Sequence, residues 1–334
     1  KVRTCATCAN IGPGYDIAAI ALDIFNECSV FKGKGRDHSI NFSGPFASEL
    51  GKHDSKNDLV IKAMRAAIKK FTSRIKSGGQ CKNKDGAETE ESSLNPADTG
   101  IEGYEDDPGI LKVFDIDMTV NIPPGKGLGS SASAVIAGLL IANKAYNIGL
   151  NKKELFQTAA EIESSPDNAA AALSGGMAIV YRSGGQYLFE KISLSSSYRI
   201  LLMIPPDTAD TKEARKVIPD RVPIEDVIRN ISNFSLLIKY LEEDDPAGAA
   251  VFIKDHLYQK YRKDIYPRSL DLVNELIEAY GIPASISGAG PAVMAIMDGE
   301  MFEKYKNIKG RVAGKYLSFK DIVAGICDSG SYYL

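Results

Sequence analysis

Apolar and polar positions along this chain change period repeatedly, between the two-residue alternation of strands and the roughly 3.6-residue recurrence of helices. Residues 2–8, 24–32 and 39–42 read as strands. Asn57-Asp58-Leu59 then opens a helix in which Val60, Met64, Ala67, Ile68 and Phe71 recur at helical spacing. Residues 113–122 alternate again and read as a strand, followed by an unbroken helical run over 132–145. Asn151-Lys152-Lys153-Glu154 has the form of a capping box, starting a helix through Leu155, Ala159 and Ile162. Ser165-Pro166-Asp167-Asn168 reads as another helix start, with Ser165 as N-cap and Pro166 at the first helical position. Gly175-Gly176 ends that helix, and residues 177–181 and 199–204 are strand-like. From 224 to 280 the pattern is mostly helical, closing at Gly281. This alternation predicts an α+β or α/β sandwich in two lobes divided near residue 190, and no internal repeat of about 20–50 residues is visible.

One stretch breaks the pattern. Residues 77–109 are rich in Gly, Ser, Glu and Asp, nearly free of large aliphatics, and carry Glu102, Glu105, Asp106 and Asp107 close together. Such a composition cannot bury enough apolar surface to fold by itself. It reads as an insertion, a mobile surface loop, with a partner-binding or regulatory loop as the alternative.

Composition removes several function classes. At 334 residues, 44% hydrophobic and 25% charged, the chain fits a soluble two-domain protein. A net charge of −3 offers no broad basic face for nucleic acid. No apolar stretch approaches the roughly 18 residues of a membrane helix, and the first residues show no signal-peptide core, so a cytoplasmic location is expected. Five cysteines, an odd number, argue against a disulfide framework. Cys5-Ala6-Thr7-Cys8 is formally C-x-x-C, but without a helix start or a second such pair it reads as small-residue packing rather than redox or zinc chemistry.

The candidate chemistry lies in Pro123-Pro124-Gly125-Lys126-Gly127-Leu128-Gly129-Ser130-Ser131. Glycines at alternate positions let backbone N–H groups approach an anion, and two hydroxyls follow at a helix N-terminus, where the dipole favours negative charge. A dinucleotide fingerprint is excluded because the third residue after Gly127 is Ser130. A Walker loop is excluded because the nearest string, Gly310 to Lys315, has the wrong spacing and precedes Tyr316. What remains is a polyphosphate cradle, with a glycine-rich turn that binds nothing as the bland alternative.

This loop resembles the second motif of the galactokinase/homoserine kinase/mevalonate kinase/phosphomevalonate kinase (GHMP) superfamily. Ala9-Asn10-Ile11-Gly12-Pro13-Gly14-Tyr15-Asp16 is similar to the first motif of homoserine kinases, written S-A-N-L-G-P-G-F-D. Ser285-Ile286-Ser287-Gly288-Ala289-Gly290-Pro291-Ala292 is similar to the third. The resemblance implies an α+β, two-lobed GHMP kinase fold. Its N-terminal lobe, 1–190, would be of the ribosomal protein S5 domain 2-like type, and its C-terminal lobe, 191–334, a ferredoxin-like α/β sandwich. It implies ATP as co-substrate, Mg²⁺, a small-molecule acceptor, and a cytoplasmic homodimer that binds neither nucleic acid nor membrane.

Site residues follow from the same resemblance. ATP would contact Asn57, Pro124, Gly125, Lys126, Gly127, Leu128, Gly129, Ser130, Ser131, Gly288 and Gly290, with Asn57 near the base or simply capping a helix, and Lys126 an added charge or a solvated lysine. Mg²⁺, which needs only one or two protein oxygens, would sit on Ser131 and Glu161. Ala160-Glu161-Ile162-Glu163 looks like the family's G-E-L-E. Two carboxylates two apart on a helix cannot point the same way, and the resemblance favours Glu161. Homoserine, carrying ammonium, carboxylate and hydroxyl, would meet Asn10, Asp16, Asp167, Asn168, Arg215 and Arg262, with Thr211 and Arg215 of the T-K-E-A-R segment acting catalytically. One departure stands out. Ser165 and Pro166 occupy the place before Asp167-Asn168 where homoserine kinases carry a histidine, and none of His38, His53 and His256 falls in a matching segment. A kinase for another small alcohol such as mevalonate, or a silent metabolite-binding relative, therefore stand as alternatives.

Overall fold

The computed structural model describes residues 1–34, 38–50, 58–76, 113–163, 165–208 and 211–334. The first part runs β1 (Val2–Ala9), β2 (Ala18–Lys32), β3 (Ser39–Ser43), α1 (Leu59–Lys70), α2 (Thr72–Lys76), β4 (Phe114–Thr119), α3 (Ser130–Ala145), α4 (Lys152–Ile162), α5 (Pro166–Ser174), β5 (Met177–Ser183) and β6 (Gln186–Ile192). The second runs β7 (Arg199–Ile204), α6 (Thr211–Lys216), α7 (Ile224–Glu242), α8 (Pro246–Phe252), α9 (Pro267–Tyr280), β8 (Ala284–Ile286), β9 (Val293–Met297), α10 (Gly299–Lys315), β10 (Lys320–Gly325) and β11 (Tyr332–Tyr333). The expected 77–109 insertion lies outside the described residues.

The first sheet runs β11-β1-β2-β4-β3, with β5 pairing β2 and β6. Only β3 and β4 are parallel, with Ser39 opposite Asp115. The second sheet, β10-β7-β9-β8, is antiparallel throughout. Its strands and their connecting helices follow a β-α-β-β-α-β course, the ferredoxin-like arrangement. The changeover between sheets falls between Ile192 and Arg199. Residues 191–334 do not all stay with the second sheet, however. Strand β11 returns to the first, Val2 pairing with Tyr333, so the chain's end closes an edge of the N-terminal lobe.

Local chemistry explains the elements. Asp58 caps α1, its carboxylate accepting from the N–H groups of Val60 and Ile61 at 2.8 and 3.4 Å. The capping box at α4 is complete, with Glu154 N–H on Asn151 Oδ1 at 2.9 Å and Asn151 N–H on Glu154 Oε2 at 3.1 Å. Strand β2 begins at Ala18, six residues before alternation announces it, because residues 18–22 are buried on both faces and show no period of two. Helix α3 is apolar nearly all round and buried from Ala132 to Ala142 except at the half-buried Ala134. It lies so close to α1 that a Cβ at Gly138 would stand 2.2 Å from the Val60 carbonyl oxygen. Cys5, Cys8, Cys28 and Cys327 are buried free thiols. Among the described residues no helix is long and apolar enough to cross a membrane.

Candidate active site

Residues 123–129 carry the chain from β4 to α3. Asn26 sets the entry, its Oδ1 accepting from the N–H groups of Asn121 and Ile122 at 2.8 and 3.0 Å. Gly125, Gly127 and Gly129 then take left-handed φ of 65°, 77° and 68°. Gly129 is the N-cap of α3 and makes no side-chain capping bond. The first N–H groups of the helix, flanked by the hydroxyls of Ser130 and Ser131, therefore have no side-chain cap, an arrangement that suits an anion. Gly125 and Ser131 are exposed at its mouth, Pro124 is half-buried, and Leu128 is buried with its carbonyl accepting from Thr7 N–H at 3.1 Å.

The third-motif turn bolts this loop to the first motif. Ser287 Oγ donates to the Gly127 carbonyl at 2.7 Å, and Ala292 N–H to the Lys126 carbonyl at 3.2 Å. Gly288 N–H donates to Ala9 O at 2.8 Å. The Gly288 carbonyl in turn receives Asn10 Nδ2 at 2.8 Å and Arg262 Nη1 at 2.6 Å. Gly290 N–H closes the turn on Ser287 O at 2.8 Å. Gly288 and Gly290 thus act on the loop through backbone.

Two expected ligand residues are placed differently. Lys126 is neither solvated nor aimed at the cradle. Its ammonium is buried and donates to the carbonyls of Pro205, Pro206 and Asp207 at 3.2, 2.7 and 2.6 Å, tying the loop to the end of β7. Burial lowers its pKa. Glu161 stands away from Ser131, with its side chain 55% exposed and paired with Lys70 at 2.5 Å. Glu163 takes the expected place: Ser131 Oγ donates to Glu163 Oε1 at 2.5 Å. The helix ends one residue earlier, and Glu163 has extended backbone at φ −91°, ψ 139°, which turns its carboxylate toward α3. Burial raises its pKa against the pull of Ser131. A hydroxyl and a carboxylate at the mouth of a phosphate cradle are a donor set that suits Mg²⁺. Asn57 lies outside the described residues.

On the acceptor side Asn10 and Asp16 both have left-handed backbone, φ 58° and 55°. Asn10 Oδ1 accepts from Asp16 N–H at 2.8 Å, so Asn10 links Asp16 to the Gly288 carbonyl. Arg215 of α6 donates to Asp16 Oδ1 at 2.9 Å and reaches Ser165 Oγ at 3.5 Å. Burial raises the pKa of Asp16, and the neighbouring Arg215 opposes that rise. Arg262 is 2% exposed, stacks over Tyr258 at 4.8 Å, and its Nε is buried without a partner. Asp167 is fully buried. Oδ1 accepts from Asn168 N–H at 2.8 Å, while Oδ2 is an orphaned buried acceptor. Desolvation, joined by the charge of Asp16, pushes its pKa up to about 7. Asn168 receives Thr7 Oγ1 at 2.6 Å, and its Oδ1 borders the cradle, 3.2 Å from where a Gly129 Cβ would lie. Thr211 opens α6, four residues before Arg215; its side chain lies outside the described residues.

Sequence reading missed Thr7, Tyr15 and Tyr258 as participants. Tyr258 O–H donates to the Asn10 carbonyl at 2.6 Å, and its ring packs on Tyr15 with centroids 4.8 Å apart. Tyr15 stands inside the quoted first motif and was within reach; Thr7 and Tyr258 carry no local signal.

The chain matches the GHMP kinases N terminal domain over residues 100–176 and the GHMP kinases C terminal domain over 237–306. A homoserine kinase from Clostridium botulinum is 30% identical over 98% of this chain and 94% of its own length. The chain belongs to the GHMP kinase family. Another relative, the homoserine kinase of Petrotoga mobilis, is 28% identical over 99% of this chain and 95% of its own. Among solved structures, the homoserine kinase of Cytophaga hutchinsonii superposes with a TM-score of 0.76 at 20% identity, covering 100% of this chain and 96% of that one. The L. major mevalonate kinase in complex with R-mevalonate gives 0.67 at 14%, covering 98% and 96%. This GHMP kinase therefore shares its fold with enzymes whose acceptors differ, and the acceptor must be argued from its pocket.

Proposed function

We propose that this GHMP kinase transfers the terminal phosphoryl group of ATP to the side-chain hydroxyl of L-homoserine, giving O-phospho-L-homoserine for threonine biosynthesis. The observation that carries the reading is the pairing of Asp16 with Arg215 beside the buried Arg262. An amino acid offers each of these groups an opposite charge, whereas mevalonate would leave Asp16 without an ammonium. The near-full-length likeness to proteins named homoserine kinase supports the same acceptor. The family resemblance adds a cytoplasmic homodimer to the proposal.

The Gly125, Gly127 and Gly129 backbone and the α3 N-terminus would hold the polyphosphate, with Ser130 and Ser131 adding hydroxyl donors. Ser131 and Glu163 would hold Mg²⁺, which supplies charge neutralisation on the phosphate oxygens. The Asp16 carboxylate would receive the ammonium, and Arg215 and Arg262 the carboxylate. Asp167 has a free buried oxygen and a proton affinity near neutrality, so its Oδ2 would accept the hydroxyl proton. Phosphoryl transfer rests mainly on positioning and charge stabilisation, so a base this weak suffices.

A coupled ADP-release assay with Mg·ATP, comparing L-homoserine, L-serine, L-threonine and mevalonate at equal concentration, tests the proposal. Selective turnover of L-homoserine is expected. Turnover of mevalonate alone would overturn the amino-acid pocket, and no turnover with any of the four would overturn homoserine as the acceptor.

A further inference from the structure

The C-terminal lobe contains a cavity of about 300 Å³ that the catalytic reading does not use. It is lined by Met203 of β7, Leu272 of α9, Tyr305 of α10, Tyr316 just past the end of that helix, and Phe319. Met203, Leu272, Tyr305 and Tyr316 are all buried. At the mouth stands one ion pair: Lys309 Nζ lies 3.2 Å from Asp321 Oδ2, which also accepts from Tyr305 O–H at 3.1 Å. The two charges differ in mobility. Asp321 is 20% exposed and braced by the tyrosine, whereas Lys309 is 53% exposed on a flexible stem.

An apolar, aromatic interior with a single cation and a single anion at its rim matches a zwitterion with an apolar tail. An α-ammonium would take Asp321, an α-carboxylate would take Lys309, and the pair would exchange one exposed contact for two. At about 30 Å³ per water-sized group, the cavity accommodates on the order of ten non-hydrogen atoms. It lies at the small end of ligand sites. A nucleotide would need more cationic groups than Lys309, and a peptide holds its charged termini too far apart to meet Lys309 and Asp321 together. We propose that this cavity binds a free α-amino acid with an apolar side chain of leucine or methionine size. Met203 is followed along β7 by Ile204 and then by Pro205, Pro206 and Asp207, whose carbonyls hold Lys126 of the phosphate loop. In the same proposal, occupancy of the cavity shifts the KM for ATP through this stretch of β7.

Calorimetric titration of the full chain with L-leucine and L-methionine, in the presence of saturating L-homoserine, reads binding without requiring turnover. One site per chain is expected, weakened at least about tenfold for L-leucinamide and for N-acetyl-L-leucine, and equally by Asp321→Asn. Lys309→Met, a change at an exposed position that leaves the fold intact, should weaken binding while the basal rate with homoserine is unchanged. Saturating amino acid should shift the KM for ATP by about twofold or more and leave the KM for homoserine unmoved. The site is overturned by absence of heat at ~10 mM, by binding that homoserine abolishes, or by binding indifferent to both variants. An unchanged KM for ATP under saturation overturns the coupling.

Discussion

The two halves of the candidate site are built on opposite principles. The phosphate side is almost all backbone: three left-handed glycines, a helix N-terminus, and a second glycine turn that locks the first through carbonyl contacts. The acceptor side is almost all side chain: two arginines and two carboxylates, of which Arg262 and Asp167 are buried and Asp16 and Arg215 are paired, with their charges adjusting one another. A cradle made of backbone cannot be titrated and tolerates no added atom. A pocket made of charges tolerates changes of shape but responds to pH and to each charge removed. The difference separates a nucleotide site shared across a family from an acceptor site that distinguishes its members.

The largest effect should come from adding one methyl group to the backbone half. In Gly127→Ala the new Cβ would sit 2.1 Å from the Ser287 carbonyl at a φ of 77°, so the loop must move by an ångström or so. A loss of ~100-fold in kcat/KM is expected, with the increase in KM falling on ATP rather than on homoserine. Steady-state kinetics with each substrate varied in turn checks it; a variant with wild-type ATP kinetics would mean that the loop does not hold the nucleotide. Arg215→Ala should do the converse. Loss of a charged contact should lower kcat/KM for homoserine about 10–100-fold and leave the KM for ATP within about twofold, and unchanged homoserine kinetics would remove Arg215 from the pocket.

Where the halves meet, the metal sharpens the contrast. Glu163→Gln should raise the Mg²⁺ concentration needed for half-maximal rate by at least ~10-fold, since even an outer partner of a metal site costs that much. Glu161→Gln removes only an exposed pair with Lys70 and should change nothing beyond about twofold. The opposite ranking in a Mg²⁺ titration would return the site to Glu161.

What could be read in the sequence follows the same division. A glycine where the chain must turn left is a residue-type signal, so the loop and its helix are legible in the residues themselves, and the third-motif turn through its resemblance to the family. Partners distant in sequence were not. Lys126 finds its three carbonyls about eighty residues away, so no local pattern separates it from a solvated loop lysine. The choice between Glu161 and Glu163 turned on where α4 ends. A two-residue offset argues against both facing Ser131 only while both are helical, and Glu163 lies just past the last helical residue. The return of β11 to β1 was equally hidden, because two residues of strand carry no period at all.

The smallest effect belongs to Asp167 and reads the charge half through stability rather than rate. Its folded pKa, about 7, lies well above the model-peptide value of 3.8, so between those values the folded chain binds a proton that the unfolded chain has released. Stability must then fall as pH rises from about 4 to about 7, by up to ~4 kcal/mol for a shift of this size. Asp167→Asn removes the titration, but it leaves amide N–H groups short of partners, which costs about 1–3 kcal/mol at every pH. The variant should therefore be less stable than wild type near pH 4.5 and slightly more stable at pH 8. The difference in Tm should change sign between, with a gain of a few °C at the upper end. Its kcat should fall at pH 8, where the ionised Oδ2 that would take the hydroxyl proton is gone, and change far less at pH 4.5, where that oxygen already carries a proton. Parallel Tm curves from pH 4.5 to 8 would mean that Asp167 is ionised throughout. It would then belong with Asp16 as a fixed negative charge instead of serving as the proton's destination.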